Sequence, residues 1–165
     1  TLVAAPMLLS PIRFHNSVLN AAAGYWTIGV GCRKPYTALS GNVDTFGEGL
    51  LEVLVQSQVS VEPTLLVAYD IEACGPLAAM QPSRGIVGAG LVLTPNPAPN
   101  SLARNRWQTV AGTERTRPCT RNEELLRGNA MASCLPFFEA VAMAERCMIH
   151  VGLSPTCLLK LELDF

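Results

Sequence analysis

The sequence predicts an α/β fold, and three observations carry that reading. Two continuously apolar runs, "TLLVAY" (64–69) and "GIVGAGLVLTP" (85–95), have the character of strands buried on both faces of a parallel sheet. Phe46, Leu50, Leu51, Leu54 and Val55 recur at helical spacing and define one apolar helix face over 45–58. Helix-like and strand-like segments then alternate along the chain, as layered α/β domains require. The 165 residues suit a single domain with a sizeable core.

The opening "TLVAAPMLLSP" (1–11) is apolar and broken by proline, and does not look like the natural start of a domain. "NSVLNAAAGYWTIGV" (16–30) reads as a helix capped by Asn16 or Ser17, its small residues allowing close packing. Gly31 to Pro35 turns the chain, and "YTALS" (36–40) is expected as a short strand. The 45–58 helix and the 64–69 strand follow. A looped segment through Cys74, Pro76, Pro82 and Gly85 leads to the 85–95 strand, loosened by its glycines. "PNPAPNS" (95–101) is a turn-rich break, "ARNRWQTV" (103–110) an edge strand, and Asn122 to Arg127 a short helix. "CLPFFEAVAMAER" (134–146) is a stronger helix with Pro136 in its first turn. "CMIHV" (147–151) and "CLLKLELD" (157–164) close the chain as a hairpin with a five-residue loop.

Composition excludes several classes. Hydrophobic residues make up 49% and charged residues 15%, a surplus that points to an oligomeric interface. The formal charge is −1, so nucleic acid is not an expected partner. No apolar run approaches the ~18 residues of a membrane span, and no basic-then-apolar leader opens the chain. Cys32, Cys74, Cys119, Cys134, Cys147 and Cys157 are widely spaced with no C-x-x-C pair. They read as reduced, mostly buried thiols of a cytoplasmic protein.

A search for chemistry yields little. His15 and His150 are the only histidines, and neither has a ligand-spaced neighbour on the same face. Cys147 precedes His150 by three, which on a strand sends the two to opposite sides. No metal is expected. The glycines of "GIVGAGLV" lie inside a strand rather than between strand and helix, which argues against a phosphate loop and a dinucleotide cofactor. His15, just before a helix, and His150, in a core strand, read as structural rather than as bases. "SGNVDTFGEG" (40–49) sits where a strand meets a helix, a place suited to a nucleophile, yet holds no cysteine or histidine.

Several spaced elements together resemble the β-ketoacyl synthases. They are Ser10-Pro11, the helix opening Asn16 to Asn20, Ala23-Gly24-Tyr25, the turn Gly31-Cys32-Arg33-Lys34-Pro35, the strand "TLLVAYD" (64–70) and "GAGLVLTP" (88–95). The resemblance covers 10–95. The stretch 102–165 does not resemble the second half of ordinary ketosynthases and looks like the tail of a reduced, chain-length-factor-type subfamily found beside aryl polyene and type II polyketide or fatty-acid synthases. The resemblance implies half of a thiolase-like fold, a mixed sheet flanked by helices with a C-terminal helix and hairpin. The first strand–helix units of that fold have no counterpart before Thr1.

The same resemblance puts the nucleophilic cysteine eight residues after the turn's proline. Eight after Pro35 is Val43, so no catalytic residue is expected. Asp44 beside it reads as a helix N-cap rather than a catalytic group. The two histidines of a ketosynthase site have no counterpart either. What the resemblance implies instead is a pseudoenzyme subunit, without cofactor, that heterodimerises with a catalytic β-ketoacyl synthase and meets acyl carrier protein through it. Tyr36, Thr37, Ala38, Leu39 and Ser40 would form the dimer interface rather than an internal strand. Phe14 and Val18 would reach the partner's acyl tunnel or, equally well, pack in a core. Two alternatives stand beside this: a thiolase-like acyltransferase using another cysteine such as Cys74 or Cys32, and a self-associating acyl-binding or scaffold protein.

Overall fold

Ser10 and Pro11 start the first helix earlier than the sequence reading placed it. In the computed structural model, which describes residues 10–80, 83–118 and 122–165, helix α1 is Pro11–His15 and helix α2 is Ala21–Gly29. The opening residues 1–9, Pro82 and Cys119 lie outside the described residues. By its contacts the chain divides into two compact units, Thr1–Ser40 and Gly41–Phe165.

In the first unit the single helix expected over 16–30 is two. Ser10 accepts the Arg13 N–H on its hydroxyl at 3.5 Å, and Pro11 occupies the first turn, where a missing N–H costs nothing. Ser17 then donates to the Phe14 carbonyl at 2.7 Å, a side-chain bond that competes with helix continuation. Asn16 is not a helix N-cap: it follows α1 as its C-terminal cap, and its side-chain oxygen accepts the Tyr25 hydroxyl at 2.8 Å. His15 therefore ends a helix instead of preceding one, and its ring meets Tyr25 edge-on at 5.8 Å. Residues 36–40 are not a strand and join neither sheet. An extended segment becomes a strand only when a neighbour completes its ladder.

The second unit is built on helix α3, Thr45–Ser60, entered through a 3-10 turn at Asn42–Asp44. Strand β1 (Thr64–Asp70) pairs antiparallel with β2 (Val87–Leu93), with helix α4 (Pro76–Met80) between them. Strands β3 (Arg104–Ala111), β4 (Cys147–Ser154) and β5 (Cys157–Asp164) form a second antiparallel sheet in the order β3-β5-β4. Helices α5 (Asn122–Leu125) and α6 (Leu135–Met143) lie between β3 and β4, with a 3-10 turn at Ala130–Cys134 leading into α6. The α/β class and the C-terminal helix with its hairpin are as expected.

The parallel pairing expected of 64–69 and 85–95 is not. Both ribbons alternate, with Ala68, Val87 and Leu93 buried while Leu65, Val67, Tyr69 and Val92 are exposed. Continuous apolarity suits a doubly buried strand, but the pleat buries only one side of a sheet covered on one face. The hairpin is also tighter than expected. Ser154 pairs with Cys157, so only Pro155 and Thr156 form the turn, and a bulge between Gly152 and Ser154 absorbs the difference.

The core joins α3 to the second sheet. Phe46 and Leu50 are 1% exposed, and Phe46 packs against Phe137 and Phe138 of α6 with ring centroids 6.1 and 6.2 Å apart. Central strand β5 contributes Leu159, Leu161 and Leu163, all buried. The helix approaches β4 closely at Gly47. A Cβ there would overlap the Gly152 carbonyl oxygen and lie 3.0 Å from its carbon, so only glycine admits this contact. A buried polar knot ties β1 to the Ala130–Cys134 turn. The Ser83 hydroxyl donates to Asp70 and accepts the Ala130 N–H, and Asn129 donates to the Arg84 carbonyl at 2.9 Å.

Candidate functional site

The turn that opens α3 is a strained elbow. Asn42 has φ of 61°, the left-handed region that asparagine tolerates better than most residues. Thr45 holds the bend from inside the helix. Its hydroxyl accepts the Gly41 N–H at 2.9 Å and donates to the Asn42 carbonyl at 2.7 Å. Val43 projects from the elbow and is 55% exposed. The position that the family resemblance gives to a nucleophile is thus accessible and chemically inert, and the strained residue is its neighbour Asn42.

Asp44 occupies the N-cap position of α3, but its side chain caps nothing. It turns inward, 8% exposed, and takes the Arg115 Nη2 at 2.8 and 3.1 Å on its two oxygens. This corrects the sequence reading. A buried carboxylate needs a cation and further donors more than a helix end needs a cap.

Arg115 belongs to an irregular strap, 112–118, that leaves β3 and runs along the outer edge of β4. Gly112 N–H donates to the Thr156 carbonyl at 3.0 Å, and Thr116 N–H to the His150 carbonyl at 3.0 Å. The His150 N–H donates in return to the Thr116 hydroxyl at 2.8 Å. Gly152 leaves room for the ion pair, since a Cβ there would overlap Asp44 and lie 2.7 Å from the Arg115 guanidinium carbon.

Elbow and strap enclose a cleft of about 80 Å³, lined by Asp44, Arg115, Thr116, Ser133 and His150 among others. No thiol lines it. It holds water-sized groups and falls well short of the roughly 300 Å³ of a small-molecule pocket. Beside it a larger, open groove of about 1020 Å³ follows 110–117 between Leu158 and His150.

The other residues singled out by sequence lie elsewhere. Phe14, Val18 and Tyr36 to Ser40 belong to the first unit, where Phe14 is 57% exposed and Tyr36 and Leu39 are also exposed. The five described cysteines are free, but only Cys134 among them is buried, which corrects the expectation of mostly buried thiols. Burial pushes the Cys134 thiol up to about 11, and burial with the nearby Glu145 charge raises Cys147. Both are therefore held as thiols at neutral pH. Cys74 is exposed in the loop after β1. No cluster of three metal-ligating side chains occurs among the described residues. No helix among them is long and apolar enough to cross a membrane.

Sequence reasoning missed Arg115, Thr116 and Gly152. Asp44 and Arg115 are 71 residues apart, and no local spacing links them. The available signal was an acidic residue at the first turn of an apolar helix, which called for a cation without saying which.

Comparison with known proteins adds the family. No curated protein and no solved structure matches the chain. A family model described as the β-ketoacyl synthase N-terminal domain matches residues 2–147, which extends past the 10–95 segment picked out by motifs. The elbow into an apolar helix and the match over most of its length agree: this chain belongs to the β-ketoacyl synthase N-terminal domain family.

Proposed function

We propose that this chain is a non-catalytic, chain-length-factor-type subunit. It heterodimerises with an active β-ketoacyl-ACP synthase in fatty-acid or aryl polyene-like polyketide biosynthesis and shapes that partner's acyl tunnel. The observation that carries this reading is the elbow itself, built to present a side chain and presenting Val43. A cysteine at a helix N-terminus gains thiolate character from the helix dipole, and valine has no such chemistry. The exposed apolar side chains of the first unit, Phe14, Val18, Tyr36 and Leu39, support a protein partner there. Acyl carrier protein would then be met through the catalytic subunit.

Co-expression with a ketosynthase that keeps its cysteine tests the reading. The two chains should copurify, and the complex should take acyl groups from a thioester on the partner's cysteine, seen by intact-mass spectrometry. A stable monomer indifferent to ketosynthases would overturn the proposal. Acylation of Cys74 would favour instead an acyltransferase of the same family, since that thiol is accessible.

A further inference from the structure

The two edges of the three-stranded sheet are treated differently. The outer edge of β4 is met by the strap, where Thr116 exchanges hydrogen bonds with His150. The opposite edge, β3, pairs with β5 over eight consecutive residues without a bulge, and no described strand lies on its outer side. Proteins usually blunt such edges with proline, a bulge, outward charge or a covering segment. β3 contains no proline. The Arg106 guanidinium is drawn back over the sheet towards Glu162 and Asp164 of β5, at 3.5 Å each.

We propose that the β3 edge pairs antiparallel with β3 of a second copy of this chain, giving a six-stranded sheet about a two-fold axis. Symmetry and charge select the register. A two-fold normal to the sheet keeps each face on its own side, so the axis must pass a residue rather than a gap between residues. An axis at Asn105 sets Arg104 opposite Arg106, and an axis at Arg106 sets that arginine opposite itself. Like charges directly opposite are unfavourable. An axis at Trp107 sets Arg106 opposite Gln108, Asn105 opposite Thr109 and Arg104 opposite Val110. It also faces the two half-buried Trp107 rings across the axis, an aromatic cross-strand pair. An axis at Gln108 overlaps as many residues as the Trp107 axis without charge conflict, but it sets Trp107 opposite Thr109 and so forms no aromatic pair. The Trp107 register therefore combines a full-length ladder and no charge conflict with an aromatic cross-strand pair.

A single strand pair buries less than the ~800 Å² per partner of a standard interface, so the dimer dissociates in the micromolar range. This contact is independent of the ketosynthase reading, and failure to bind a ketosynthase leaves it standing.

Sedimentation velocity of the full chain from about 1 to about 100 µM, with reductant present to keep exposed Cys74 from cross-linking, should show reversible dimerisation. Gln108 is exposed on the outer face, so substitution spares the core. Gln108→Glu places a carboxylate opposite Arg106 twice per dimer and should tighten association roughly fivefold, and Gln108→Lys should weaken it by about as much. Melting curves establish that both variants fold. A chain that stays monomeric across the range overturns the proposal. So does a dimer whose affinity neither variant changes.

Discussion

The carboxylate of Asp44 and the guanidinium of Arg115, 71 residues apart, join the elbow of α3 to the strap along β4. The ion pair thus ties the 3-10 turn that opens α3 to a segment outside regular structure. Asp44 has little access to water, so losing its partner leaves a nearly buried charge.

Arg115→Met should destabilise the chain by about 2–3 kcal/mol. That is below the roughly 3–5 kcal/mol of a fully buried pair, because the Arg115 side chain is 41% exposed. Adding Asp44→Asn should recover part of the loss, since the orphaned charge is then gone. Urea unfolding of the two single variants and the double variant measures this coupling. Strict additivity would show that the two side chains act independently.

Glycine at 47 and 152 sets the spacing between α3 and β4. Gly47→Ala brings a methyl group onto the Gly152 carbonyl and should cost about 1–3 kcal/mol or more, because backbone must move. Gly152→Ala pushes instead on the Asp44–Arg115 pair. Its cost should shrink in the Arg115→Met background, an interaction that chemical denaturation of the double variant reads directly.

Val61 ends α3 with φ of 54°, a conformation costly for a β-branched side chain, and it is 64% exposed. Val61→Gly should relieve about 1 kcal/mol and raise Tm by roughly 2–4 °C in calorimetry. An unchanged or lower Tm would mean the left-handed cap is not strained.

The Cys134 thiol, raised by burial from 9.0 to about 11, ties stability to alkaline pH. Its folded state keeps the proton more tightly than the unfolded chain does. The contribution is therefore complete below about 9 and is lost as pH rises towards about 11. Cys134→Ala should flatten that part of the stability–pH curve while lowering stability at neutral pH through the cavity it leaves. Thiol-reactive probes at neutral pH should label exposed Cys74 well ahead of Cys134.

Val43→Cys should give a thiol that alkylating reagents reach, because the position is 55% exposed. It should give no condensation activity, since the resemblance supplies no catalytic histidines. Decarboxylation or condensation of an acyl and a malonyl thioester by that single variant would refute the pseudoenzyme reading.

Local pattern in the sequence determined the elements with strong periodicity or clear boundaries. The face of Phe46, Leu50 and Leu54 specified α3, the apolar runs specified β1 and β2, and "CLPFFEAV" with "CLLKLELD" specified the closing helix and strand. It also placed a valine at position 43, where the family resemblance expects a nucleophilic cysteine, because identity there needs no coordinates. Tertiary structure decided how those elements pair and what Asp44 does. Strand direction depends on which neighbour completes the ladder, and continuous apolarity in β1 is compatible with both parallel and antiparallel partners. The Asp44 side chain could have capped α3 or sought a cation. Burial beside Gly152 and the arrival of Arg115 on the strap settled that choice, because desolvating a carboxylate is tolerable only when a cation meets it.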